Sequence, residues 1–272
     1  MMRVSELMTP VPVQVSTGTP IATCAARMEH LAIRHLPVVA EDGRLVGVVT
    51  DAAIHRVGAM FGTEFVVFDS RDEATVAGQL STPPEVVASP EDDLPVVMNR
   101  LVATRQDCVV VVDEHQHPIG IVTEHDLLKV ALEVVPIRLT VDHLPARPLI
   151  TLERTAPAAW ALDAMARMAI RHVPVTDPDG TLVGVVSYRD LIADDVARRS
   201  VTLDEVVRSA DVFHVAPGTP LVTCARSMID HRVGCLPVVK SGRAERIVTR
   251  RDLVYAAATG LETEELFGGP SQ

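Results

Sequence analysis

Apolar positions along the chain fall into two rhythms. Ile21, Cys24, Ala25, Met28 and Leu31 recur at i, i+3, i+4, i+7 and i+10, the single stripe of an amphipathic helix, and Leu94, Val97, Met98 and Leu101 repeat it. Thr19–Pro20 ahead of the first stripe supplies an N-cap followed by proline at the first helical position. Val13 and Val15 alternate as a short strand before that helix. After it, Leu36–Val39 and Leu45–Val49 are β-rich runs joined across Asp42–Gly43, a strong hairpin signal, and a second helix starts near Asp51. The pattern predicts a unit of strand, helix, strand, strand, helix.

That unit recurs. RHLPVVAEDGRLVGVVT at 34–50 returns as RHVPVTDPDGTLVGVVS at 171–187, and Gly18–Val39 returns as Gly218–Val239 with GTP, TCA and LPVV unchanged. A more diverged copy, CVVVVDEHQHPIGIVTEHDLL, runs from Cys108 to Leu128. Four copies, about Val4–Met60, Val76–Leu132, Val141–Ala197 and Leu203–Ala258, fill nearly the whole chain. So small a unit buries little surface alone, so the copies are expected to pair. The predicted architecture is α/β, with four βαββα repeats paired into module 1 (residues 1–134) and module 2 (residues 135–272), divided near Pro136. The longest linker carries Phe61, Phe65 and Phe68 and is expected to pack on the pair it connects, with partner docking as the alternative. The acidic tail GLETEELFGGPSQ reads as a short fraying helix.

Composition narrows the chemistry. Of 272 residues, 47% are hydrophobic and only 3% aromatic, so the core is built from Val, Ala, Leu and Ile. A net charge of −11 opposes a phosphate backbone or an anionic membrane, which argues against a nucleic-acid partner and leaves any anionic ligand dependent on a local basic cluster. No apolar run approaches the roughly 20 residues that span a bilayer, and MMRVSELMTP lacks the apolar stretch of a signal peptide, so a cytoplasmic protein without membrane insertion is expected. Four scattered Cys with no CxxC pair predict small core residues and no metal site. No Walker loop, nucleophile elbow, HExxH or GxGxxG occurs, and Ser187 and Thr249 have no recognisable base, so no catalysis is expected.

A sharper signal sits behind the hairpins, where a strand ends in Thr or Ser and an Asp follows three residues later: Thr123/Asp126, Ser187/Asp190 and Thr249/Asp252. A strand running into a helix there presents backbone N–H groups and a hydroxyl to phosphate or polar ligand atoms, and the Asp can accept two hydrogen bonds from a ribose diol. The same spacing is a capping box that needs no ligand. The first copy reads Thr50-Asp51-Ala52-Ala53, with Ala where the motif has Asp. In the fourth, Arg246 replaces the Gly found at 47, 120 and 184, and the hairpin is one residue shorter.

The four-fold unit with its LPVV-like strand and following T/S-x-x-D resembles the CBS domain, in an arrangement similar to that of the γ regulatory subunit of AMP-activated protein kinase. The resemblance implies copies paired about a pseudo-two-fold axis, with two clefts per pair that take AMP, ADP or ATP and, in some members, S-adenosylmethionine or NAD. It implies that Asp126, Asp190 and Asp252 hold ribose, and that Arg34–His35 and Arg171–His172 reach phosphates of a nucleotide whose ribose the other copy holds. Alternatively the basic pairs complement a helix dipole. Thr123 and Asp126 with Arg34 and His35, and Thr249 and Asp252 with Arg171 and His172, would then make complete clefts. Ser187 and Asp190 would face Gly234–Cys235, which lacks a phosphate clamp. Ala53 would face Asp107–Cys108, the cleft expected to stay empty. The function implied is a regulatory adenine-nucleotide sensor that needs no cofactor and acts as a homodimer or on a partner enzyme or transporter. The alternative is a ligand-free scaffold or oligomerisation module docking a partner protein.

Overall fold

Each apolar stripe forms a helix and each β-rich run a strand in the computed structural model, which describes residues 2–54, 75–104, 106–168, 170–193, 201–207 and 212–259. Phe61, Phe65, Phe68 and the acidic tail lie outside the described residues. The stripe helices are Ile21–His30, Leu94–Thr104, Ala158–Met168 and Leu221–Asp230. Leu94, Val97, Met98 and Leu101 are all buried, as are Ile21, Cys24 and Met28. Leu31 departs from the expected stripe: it is the C-cap residue and 44% exposed. The leading strand is shorter than the alternation suggested, covering Val15–Ser16 only.

The expected cap at Thr19 is not formed. Pro20, extended at ψ 140, is the N-cap residue of Ile21–His30 and makes no side-chain cap, while the Thr19 hydroxyl lies 3.0 Å from that of Ser16. The orphan donor is satisfied from outside, because the Ile21 N–H donates to the carbonyl of Thr75 at 3.1 Å. In the fourth repeat Pro220 is likewise the N-cap, and the Leu221 N–H donates to Leu139 at 2.8 Å.

Four antiparallel hairpins follow the helices: His35–Val39 with Leu45–Thr50, Cys108–Val112 with Pro118–Thr123, His172–Thr176 with Leu182–Ser187, and Cys235–Lys240 with Arg243–Thr249. Gly43 (φ 82) and Gly180 (φ 86) take the left-handed conformation in the first and third turns. The shorter fourth hairpin closes on Ser241 and Gly242, both at positive φ (50 and 81), the conformation of a two-residue turn matched to strand twist.

A segment at the head of each repeat, which the strand-helix-strand-strand-helix pattern did not anticipate, completes the neighbouring repeat. Val4–Glu6 forms a 3-10 turn whose first N–H donates to Asp92, Leu94 in turn donates to Met2, and Thr9–Pro10 pairs with Ile121 and Gly120 of the second repeat. Reciprocally, Ala77 donates to Thr19 at 2.8 Å, and Val48 and Thr82 exchange backbone bonds of 3.0 and 3.1 Å. The third and fourth repeats do the same through Val141 to Thr219, Leu203 to Ala156 and Ala158 to Val201. Each exchanged segment drives an apolar anchor into its neighbour: Ala77 joins the core of Val15, Ile21, Leu36 and Val49, Leu203 that of Ala158, Met165, Val173 and Leu191, and Val141 that of Leu221, Met228, Leu236 and Leu253. Val4, Ala77, Val141 and Leu203 are all 0% exposed. Exchange of this kind relates two repeats as a pseudo-two-fold pair. The chain forms two compact units, Met1–Leu127 and Leu128–Gln272, and each contains one such exchange.

The recurrent glycine of the second hairpin strand makes room for the exchanged segment. A Cβ on Gly47 would meet Ser81 Cβ at 2.8 Å, on Gly120 Met8 Sδ at 2.4 Å, and on Gly184 Val207 Cγ1 at 2.3 Å. Arg246, which stands at this place in the fourth repeat, instead donates from Nη1 to the Val141 carbonyl at 2.8 Å. Among the described residues no helix is long and apolar enough to cross a membrane.

Candidate functional site

The strand register brings the motif together with the residue that opens the preceding strand. His35 pairs with Thr50, Cys108 with Thr123, His172 with Ser187 and Cys235 with Thr249. The residue one earlier closes the same corner by accepting from the first N–H past the Thr or Ser: Asp51 to Arg34 at 3.0 Å, Glu124 to Asp107 at 3.3 Å, Tyr188 to Arg171 at 2.8 Å and Arg250 to Gly234 at 3.2 Å. Each repeat therefore holds the sequence-predicted basic position and the hydroxyl position on neighbouring strand ends.

In the three complete motifs one carboxylate oxygen does the local work. Asp126 Oδ2 accepts from the Thr123 N–H (3.0 Å) and hydroxyl (2.8 Å), Asp190 Oδ2 from those of Ser187 (2.8 and 2.6 Å), and Asp252 Oδ2 from those of Thr249 (2.8 and 2.7 Å). The Asp252 N–H returns a long bond of 3.4 Å to the Thr249 hydroxyl, and Asp190 does the same to Ser187. The motif thus acts as a capping box that fixes the carboxylate at the strand-to-helix corner. In the first repeat Thr50 Oγ1 accepts from the Ala53 N–H at 3.1 Å, Ala53 is buried, and Asp51 turns to its own neighbour Ala52 (2.7 Å), with its Oδ2 3.9 Å from Arg34 Nε.

The third and fourth repeats approach each other at these corners. A Cβ on Gly234 would stand 2.8 Å from His172 Nε2, so the imidazole reaches the strand start of the neighbouring repeat. The Cys235 thiol is pushed up to about 12, first by burial, and the charge of Asp190 adds to the rise. Cys108 is likewise pushed up to about 12, by burial and then by the charges of Asp107 and Glu124.

Sequence reasoning missed Arg147. It lies on the segment that the third repeat lends to the fourth, and its Nη1 is 3.1 Å from Asp252 Oδ1, the oxygen not used by Thr249. A Pro-flanked arginine far from the motif in sequence carries no local signal of that contact. Among the described residues no group of three or more His, Cys, Asp or Glu is placed to hold a metal ion.

Comparison with known proteins places this geometry. The chain is 36% identical over 89 residues to an uncharacterized protein of Methanopyrus kandleri, a match covering 31% of this chain and 44% of that protein. It is 26% identical over 302 residues to a 33.4 kDa protein encoded in the ribosomal RNA operon of Thermofilum pendens, covering 98% and 99% of the two chains. The chain therefore spans less than half of the first relative and nearly all of the second. Its fold is that of protein MJ1225 of Methanocaldococcus jannaschii, which has been proposed as an archaeal homolog of g-AMPK: TM-score 0.77, 20% identity, 93% of this chain and 99% of that one. CBS-domain profiles match residues 4–59, 77–133, 141–196 and 203–259, in step with the four exchanging repeats, and the chain belongs to the CBS-domain family.

Proposed function

We propose that this chain is a regulatory protein that binds adenine nucleotides in clefts between paired repeats. One observation carries the reading: in three repeats a carboxylate is pinned through Oδ2 by Thr or Ser at a strand-to-helix corner. Paired CBS domains commonly bind adenosine compounds, and CBS-domain proteins are generally regulatory rather than catalytic. In this reading Asp126, Asp190 and Asp252 hold ribose, Thr123, Ser187 and Thr249 add polar contacts, and Arg34, His35, Arg171 and His172 meet phosphate. The approach of His172 to Gly234 supports clefts assembled from both repeats of a pair. A nucleotide acts as a signal only where it favours one conformational state over another, so regulation requires differential contacts.

The completed capping boxes favour a second reading, a scaffold whose corners are held without any ligand. Calorimetric titration with AMP, ADP and ATP separates the two. Binding that weakens about ten- to a hundredfold in Asp126→Ala, the cost of losing a charged hydrogen bond, supports the sensor. No heat with any adenosine compound at millimolar concentration overturns it in favour of the scaffold.

A further inference from the structure

Both carboxylate oxygens of Asp252 are engaged within the chain. Oδ2 is engaged by Thr249, and Oδ1, the oxygen a ribose diol would need, faces Arg147 Nη1 at 3.1 Å. The two partners have opposite environments: the Asp252 side chain is 8% exposed and that of Arg147 62%. A guanidinium so exposed leaves for water at little cost, whereas a buried carboxylate left without a countercharge does not. A neutral diol can donate to the oxygen that Arg147 faces but cannot supply its charge.

We propose that Arg147 is a charge-sensitive gate and specificity determinant of the Asp252 cleft. It covers Oδ1 when the cleft is empty. When a ribose diol takes that oxygen, the guanidinium re-pairs with a phosphate of the same ligand, so phosphorylated adenosine compounds enter and uncharged or cationic ones are disfavoured. Arginine suits this exchange because its planar fork matches carboxylate and phosphate alike and stays charged at every working pH.

Arg147 stands six positions beyond the buried anchor Val141, and the residues six beyond the anchors Val4 and Ala77 are Pro10 and Pro83, which have no side-chain donor. Selectivity for ligand charge should therefore differ between the Asp252 cleft and the Asp126 cleft.

The inference rests on the ribose role proposed for Asp252, and its test separates the two. The Thr249 amide signal in ¹⁵N–¹H spectra serves as local reporter while AMP and adenosine are titrated into the wild-type chain, Arg147→Ala, Arg147→Lys and Arg147→Gln. The wild type should prefer AMP. Arg147→Ala should reduce that preference about tenfold, with adenosine binding tighter and AMP weaker, while Arg147→Lys keeps it within about threefold. If the Ala variant does not fold, Gln against Lys gives the same comparison of charge. An unchanged AMP-to-adenosine ratio in a folded, uncharged variant overturns the gate while leaving the nucleotide reading intact. A Thr249 signal that responds to neither ligand in the wild type nor in Arg147→Ala and Arg147→Gln overturns the ribose reading at this cleft and the gate with it, whereas adenosine binding that appears only in those two variants supports both.

Discussion

Gly234 and His172 are fitted to each other across two repeats: a Cβ at 234 would stand 2.8 Å from the imidazole Nε2 and 3.0 Å from Cε1. Gly234 has no left-handed backbone, so Gly234→Ala adds no backbone strain, and its clash is with the outer edge of a ring that can rotate. Thermal unfolding of this variant should change by less than about 1 kcal/mol in stability. Nucleotide affinity at the Asp252 cleft should fall about three- to tenfold because His172 is turned away. Affinity equal to that of the wild type would remove His172 from the phosphate contacts.

Gly184→Ala should behave in the opposite way. The new methyl would lie 2.3 Å from Val207 Cγ1, on a segment seated in the third repeat by the buried anchor Leu203, so strain falls on packing. A loss of about 1–3 kcal/mol is expected from urea unfolding, as for overpacked cores. Val207→Ala in the same chain should recover part of it, the coupling expected of residues in contact. Gly18→Ala, with nothing within 4 Å, should stay within about 0.5 kcal/mol of the wild type. Additive losses at 184 and 207 would show that the strand glycine does not serve the exchanged segment.

The helices and hairpins were legible in the sequence because their information is local: Leu94, Val97, Met98 and Leu101 sit on one face, and Asp42–Gly43 dictates a turn. The exchanged segments were not, since Thr9–Pro10 pairs with residues more than a hundred positions away and a two-residue strand containing proline has no periodicity. The glycines at 47, 120 and 184 were their visible trace, readable only once the neighbour's chain is seen to cross them. Thr19 misled for the same reason: its capping role is local, and the Thr75 carbonyl that satisfies Ile21 comes from the residue just ahead of the next repeat. Of the candidate site, the pairing of Thr or Ser with Asp followed from spacing alone, whereas the Arg147 contact required the exchange.

The cysteines give a pH-dependent prediction. Burial raises Cys24 above 9.0, Cys224 to about 11, and Cys108 and Cys235 to about 12. Because the folded values lie above the unfolded one, the thiols contribute stability that is fully present below pH 9 and is lost as pH rises from 9 toward 12. Urea midpoints should therefore fall between pH 8.5 and 10.5, less steeply in Cys108→Ala/Cys235→Ala than in the wild type. At pH 8 a thiol-reactive chromophore should label the native chain slowly and all four cysteines at once after denaturation. Rapid native labelling of Cys108 or Cys235 would contradict their buried placement.

Arg34 and Asp51 set up the last prediction. Arg34 Nε lies 3.9 Å from Asp51 Oδ2, a long contact between side chains 35% and 14% exposed. In the proposed function Arg34 serves phosphate in the cleft of Asp126, so an incoming nucleotide has to draw the guanidinium away from Asp51. A pair at this distance and exposure is worth about 0–1 kcal/mol, which limits the competition to at most about fivefold in affinity. Asp51→Asn should therefore tighten AMP at the Asp126 cleft by about two- to fivefold, while Arg34→Ala weakens it and leaves the Asp190 cleft unchanged. Both effects are electrostatic and should shrink as salt rises from 50 to 500 mM, where the screening length drops to only a few ångströms. Calorimetry on the two variants at both salt concentrations measures them. Weaker binding in Asp51→Asn would mean that Asp51 orients Arg34 for the ligand instead of competing with it, and loss at the Asp190 cleft in Arg34→Ala would overturn the assignment of Arg34 to the Asp126 cleft.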